Sequence, residues 1–247
     1  MNHRMLVAVA ALCISGGVSA AEIRLLAAGA TEEICSALLP AFESATGHKV
    51  VASWAGTVDI KKRIEAGEVF DAVIVGAAEV DAFIAQGKVV AGSRVDLMKS
   101  GVGVAVRAGA SKPDIRSAEA LKKTLVDAKS IAYSTGPSGV YVAKMLERMG
   151  IAEQVKSKVM MAKTGVRVGT LVARGEVEIG FQQVSELIHE SGIEYVGPLP
   201  GDLQSITVYS AGIHSQGGQP AAAKALVNFL ATPTAGAVIR KNGMDPT

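Results

Sequence analysis

Apolar residues follow two alternating rhythms along this chain. Short continuous apolar runs mark strands covered on both faces. Between them, apolar residues recur three and four positions apart, the spacing of one helical face. Strands are predicted at 23–28, 50–53, 70–75, 102–106, 131–133, 159–161, 177–181 and 206–213. Ile34, Leu38, Phe42 and Ala45 define the first helical face, Ile60 and Ile64 the second, and Val80, Phe83 and Ile84 the third. Leu121 with Leu125, then Val142, Met145, Leu146 and Met149, then Val168, Leu171 and Val172 continue the series. Two more helices are predicted at 221–230 and 235–240. Gly47, Gly67 and Gly150 stand where helices should stop. Thr31, Thr57 and Ser117 stand where they should be capped. Pro40 falls inside the first helix and predicts a kink or a split there.

Strand–helix alternation of this kind argues for an α/β protein with mostly parallel sheets. Ligands in such sheets gather where strands end and helices begin. Five segments rich in small or polar residues fall at those points: 29–31, 56–57, 76–78, 134–139 and 182–185. The richest carries the hydroxyls of Ser134, Thr135 and Ser138 around Gly136 and Pro137. A helix begins there with N–H groups that have no internal partner and with the positive end of its dipole. The segment is therefore a candidate anion seat. A plain turn with a capping serine accounts for the same residues, so both readings stay open here.

Composition narrows the class. A formal charge of +2 over 247 residues, with no basic run beyond Lys61, Lys62 and Arg63, gives no reason to expect a nucleic-acid partner. His3 and Arg4, the apolar stretch 5–14 and the small residues Val18, Ser19 and Ala20 read as a cleavable export signal over 1–21. Its removal would leave Cys35 as the single thiol, which suits a small core residue. An exported protein follows. No phosphate-loop or dinucleotide fingerprint occurs, and Ser138 lacks the spacing of a nucleophile elbow. His48, His189 and His214 have no partners at metal-ligand spacing, so neither a metal nor another cofactor is expected.

Longer motifs carry a resemblance. Ala27, Ala28, Gly29, Ala30 and Thr31 follow the first strand; Phe42 to Val50 read FESATGHKV; residues 55–60 read AGTVDI and 63–67 read RIEAG. Downstream come FDAVIV at 70–75, ARGEVEIG at 173–180 and Asn242, Gly243 and Met244 near the end. In order and spacing these are similar to bacterial periplasmic solute-binding proteins of the molybdate-binding type. The resemblance implies a two-lobe, type II periplasmic-binding-protein fold with strands crossing the hinge near 102–106 and 206–211. Lobe one would hold 22–104 plus 209–247, and lobe two 105–208.

It also implies where a small anion would sit. The positions that bear ligand serines in the first two loops correspond to Ala30, beside Thr31, and to Thr57, beside Gly56. The ligand tyrosine corresponds to Gln183. Ser134, Ser138, Gly139 and Val168 complete the implied ligand-binding set. One hydroxyl is thus absent and an amide replaces the tyrosine. An amide donates to a carboxylate as readily as to a metal oxyanion, so the ligand class covers oxyanions and di- or tricarboxylates. Arg63 and Arg167 are secondary candidates. A monomer that delivers its anion to an ABC transporter is the implied partnership. The segments SRVDL at 93–97, Tyr133 to Tyr141 and GFQQVSEL at 180–187 look closer to an offshoot that includes periplasmic aconitate isomerase. That alternative needs a proton-transfer group, for which Tyr133, Tyr141, Glu186 or a water held by Ser134 are the candidates.

Overall fold

The computed structural model describes residues 20–163 and 165–247, so the predicted export signal lies almost wholly outside the described residues. β1 (Glu22–Ala28) turns into α1 (Glu32–Thr46), β2 (Lys49–Ala55) into α2 (Thr57–Glu65), and β3 (Ala72–Gly76) into α3 (Ala77–Ala85). The long strand β4 (Val95–Arg107) precedes α4 (Ala118–Asp127), β5 (Ile131–Tyr133), α5 (Pro137–Arg148) and the single turn α6 (Ala152–Val155). Next come β6 (Val159–Met161), α7 (Val168–Ala173), β7 (Ile179–Gln183), the short α8 (Val184–Leu187) and β8 (Ile193–Pro198). β9 (Ile206–Ile213), α9 (Pro220–Leu230), α10 (Pro233–Lys241) and β10 (Asp245–Pro246) close the chain.

The strands run in the order β2-β1-β3-β9-β4-β7-β5-β6, with β8 and β10 also paired to β4. Two parallel trios stand at the ends, β2-β1-β3 and β7-β5-β6. Every antiparallel pair involves β4 or β9. β4 changes partners along its length: residues 95–101 pair with β9, and residues 102–107 with β7 and β8. One continuous strand therefore belongs to both halves of the molecule. Each trio has its own apolar core. Leu25, Ile34, Phe42, Ile74 and Leu226 pack in one, and Val104, Leu125, Ile131, Met145 and Phe181 in the other. β3 is buried at all five positions, which is why its residues read as an unbroken apolar run.

Several local expectations need correction. α1 runs unbroken through Pro40. Proline deprives the carbonyl of Ser36 of its helical partner, but Pro40 and Ser36 are both exposed, so water can serve that carbonyl. Thr31 does not cap α1; its hydroxyl donates to the Ala28 carbonyl at 2.8 Å. Thr57 is the first residue of α2 rather than its cap, a place taken by Gly56. Ser117 does cap α4, accepting from the Ala120 N–H at 3.1 Å. Gly47, Gly67 and Gly150 all adopt positive φ after their helices, a conformation that glycine reaches without a steric cost.

Candidate functional site

A cleft of about 140 Å³ opens between the two trios. One wall is the β1–α1 turn (Gly29, Ala30, Glu32) with the β2–α2 turn (Trp54, Gly56, Thr57). Facing it are the β5–α5 turn (Ser134, Thr135, Ser138), the approach to α7 (Lys163, Arg167) and the β7–α8 turn (Gln182, Gln183, Glu186). Tyr209 of β9 completes the lining. The walls approach closely. A Cβ on Gly56 would stand 3.5 Å from Thr135 Oγ1, and the buried Ser185 hydroxyl donates across to the Ala30 carbonyl at 2.9 Å.

Among the expected ligand residues, Ala30, Gly56, Thr57, Ser134, Ser138 and Gln183 line this cleft, whereas Thr31, Gly139 and Val168 do not. Val168, the first residue of α7, is buried in a small core with Ala132 and Val172, next to the cleft residue Arg167. Gly139 lies behind the wall. A Cβ there would stand 1.6 Å from the Ser134 carbonyl oxygen, so only glycine lets α5 start against the end of β5. Gly139→Ala is expected to destabilise the fold by about 3 kcal/mol or more through this backbone collision, measurable by urea unfolding; a loss below 1 kcal/mol would contradict the packing argument.

Three secondary candidates also fall outside the cleft lining. The Tyr141 hydroxyl donates to the Leu203 carbonyl at 2.8 Å and accepts from Arg148 at 2.7 Å. Tyr133 packs against the second core. Arg63 is held by Glu68 at 2.8 Å and Ser53 at 2.9 Å.

The donors on the wall are of two kinds. Ser134 and Ser138 have hydroxyls 3.2 Å apart, and Ser134 Oγ accepts from the Gly136 N–H at 3.2 Å. The buried Thr57 hydroxyl has no partner among the described residues. A buried hydroxyl left unpaired costs about 1–3 kcal/mol, a cost that a ligand oxygen would remove. Gln183 is different. Its amide is best satisfied with the NH₂ donating to the Gly101 and Ser100 carbonyls at 3.0 and 3.3 Å and the oxygen accepting from Thr207 Oγ1 at 3.0 Å. Gln183 thus lines the cleft while its amide ties β7 to both crossing strands.

Charge is concentrated at one end. The Gly169 N–H donates to Gln182 Oε1 at 3.2 Å, which turns the amide nitrogen toward Glu186 Oε1 at 2.7 Å. Glu186 keeps an accessible edge, but the protein packed round its carboxyl pushes its pKa up from 4.5 to about 7. Burial is the main cause, opposed by the Gln182 hydrogen bond, the Arg167 charge and the Gln183 backbone N–H. A Cβ on Gly29 would stand 3.7 Å from that carboxylate. Arg167, at the start of α7, meets Glu32, at the start of α1, at 2.6 Å, with Glu33 at 3.6 Å. That ion pair joins the two walls. Tyr209, Glu32, Trp54 and Lys163 were not visible as site residues in the sequence. Gln182 lay inside the candidate segment 182–185 without being singled out as a ligand residue, and Glu32 adjoins the segment 29–31 and could have been included by adjacency.

No group of three His, Cys, Asp or Glu side chains among the described residues is placed to hold a metal ion. Burial pushes the Cys35 thiol up to about 12, so it stays protonated in the first core.

Residues 23–245 match the family model for bacterial extracellular solute-binding proteins. An aconitate isomerase from a Pseudomonas species is 38% identical over 230 residues, covering 91% of this chain and 87% of its own. A molybdate-binding protein from Azotobacter vinelandii is 30% identical over 247 residues, covering 97% and 96%. Among solved structures, the periplasmic molybdate-binding protein of Azotobacter vinelandii superposes with a TM-score of 0.75 at 21% identity, over 90% of this chain and 98% of its own.

Proposed function

The chain belongs to the bacterial extracellular solute-binding protein family, and from that premise we propose that its cleft takes a small tricarboxylate and interconverts trans- and cis-aconitate. The observation that carries this reading is Glu186. A receptor for a metal oxyanion is best served by neutral donors, because an ionised carboxylate beside the ligand repels it. A carboxyl poised near neutral pH, aimed by an oriented amide, is instead suited to take up and return a proton. The 38% identity to an aconitate isomerase supports the same reading.

The chemistry balances within the cleft. Glu186 as carboxylate removes one proton from the methylene carbon of trans-aconitate. The electron pair left behind spreads over the allyl system and the adjoining carboxylate. Glu186 then returns a proton to the carbon that was vinylic, so the double bond moves and can reform with cis geometry. Neither electrons nor protons are gained or lost overall. Lys163 and Arg167 supply positive charge at the cleft, and the Ser134, Ser138 and Thr57 hydroxyls supply donors for carboxylate oxygens.

The second reading is a periplasmic receptor that hands a small anion to an ABC transporter. The 30% identity to a molybdate-binding protein and the hydroxyl-lined turns favour it. Incubating the purified protein with trans-aconitate and following the cis isomer by chromatography separates the two. The enzyme reading expects turnover that persists in chelator. No turnover, together with tight binding of another anion, would leave the receptor.

A further inference from the structure

Tyr209 is among the largest fully buried side chains, 1% exposed, and yet it lines the cleft. It lies in the middle of β9, between Gly76 of β3 and Met98 of β4. β4 shifts register between Asp96 and Met98, beside that contact. Irregularities of this kind re-aim side chains and recur next to functional sites. The alternation of the strand puts Thr207 and Tyr209 on the same face. The Thr207 hydroxyl donates to the Gln183 amide oxygen in the cleft wall. No hydrogen bond of the Tyr209 hydroxyl is found among the described residues, and unlike Thr57 Oγ1 it is not a sealed, orphaned atom, so it is open to the cleft.

We infer that Tyr209 is a ligand-binding residue whose phenol donates a hydrogen bond from the crossing strand to an oxygen of the anion held in the cleft. Three features converge on this role. Tyr209 packs in the first core and is 1% exposed, so its ring is held before a ligand arrives. The side chain also lines the cleft, so a ligand held there can reach it. Burial and the nearby carboxylates of Glu186 and Glu79 push its pKa well up, so the phenol remains a donor throughout the working range. A donor that keeps its proton can stabilise an anion without competing with Glu186 for the transferred one. The inference rests on the cleft being an anion site, and it deepens the proposed function by adding a binding group from β9, which pairs with β3 and with the shared strand β4.

The test is thermal shift and calorimetric titration of the wild-type protein and Tyr209→Phe with trans-aconitate, citrate, molybdate, tungstate, sulfate and phosphate. Phenylalanine keeps the ring, and the ligand-free melting temperature checks that packing survives. The anion that stabilises the wild-type protein should bind the variant about 10- to 100-fold more weakly, the usual loss for a hydrogen bond to a charged acceptor. As a second readout, one of the four tyrosine Cζ resonances in ¹³C-labelled wild-type protein should move when that anion is added and be missing from Tyr209→Phe. An affinity unchanged within twofold, with no such resonance, overturns the role of Tyr209. Stabilisation by molybdate alone, weakened by the variant, upholds Tyr209 and overturns the tricarboxylate reading. No response of the wild-type protein to any of the six anions overturns both.

Discussion

Glu186→Gln is expected to slow aconitate isomerisation by about 10²- to 10⁴-fold, the usual contribution of a positioned acid–base group, while binding of trans-aconitate stays within a few-fold. Glutamine has nearly the same shape, and its oxygen can still accept from Gln182. What it cannot do is take up a proton. In the wild-type protein the rate should rise with pH through about 7, the value to which burial pushes the carboxyl, because the base form does the work.

The same shift makes a separate forecast about stability. The folded carboxyl titrates near 7 and the unfolded one near 4.5. Between those values the folded state binds more protons, so stability must fall as pH rises across that window. The full shift corresponds to at most about 3 kcal/mol, less whatever solvent reaching the accessible edge relieves. Glu186→Gln should lack this component and melt higher than the wild-type protein at pH 8. A variant that isomerises at the wild-type rate would remove Glu186 from the chemistry. A variant no more stable than the wild-type protein at pH 8 would remove the buried charge from the account.

The alternation of strands and helices was legible because β3 and β7 are buried at every position and β1 and β9 each over four consecutive residues, which leaves stretches rich in apolar residues. Besides the two-residue β10, two strand segments escaped for opposite reasons. β8 has no buried residue, so hydrophobicity does not mark it. The first half of β4 loses its alternation at Leu97 and Met98, both buried, where the register shifts. In the cleft, the rule that ligands sit at strand ends found the turns around Ala30, Thr57 and Ser138. It could not find Tyr209, which is reached from the middle of a strand that crosses between the halves. Nor could it separate Gly139 from its neighbours, because a glycine required for packing and one required for ligand approach read alike. The role of the Gln183 amide depends on Ser100, Gly101 and Thr207, residues remote in sequence that only the crossing strands bring together.

Arg167→Ala is expected to weaken binding of trans-aconitate by about 10- to 100-fold, through loss of a guanidinium able to pair with a carboxylate and of the bridge to Glu32. The bridge links the start of α7 to the start of α1 at 2.6 Å, and those helices belong to opposite walls of the cleft. It can form only when the walls are together, so it favours the closed arrangement and should act mainly on ligand release. Both side chains are about one-third exposed, 31% and 33%, and ion pairs of that kind are worth about 0.2–1 kcal/mol. Glu32→Gln, which loses the bridge but keeps the guanidinium, should therefore weaken binding by no more than about fivefold and speed dissociation by a similar factor. Exchanging the charges, with Glu32→Arg and Arg167→Glu in one chain, should restore part of the slow release. The opposite sign is equally readable in stopped-flow dissociation. If Glu32→Gln binds trans-aconitate more tightly than the wild-type protein, Glu32 is a competitor occupying a ligand seat on Arg167, and the clasp between the walls is excluded.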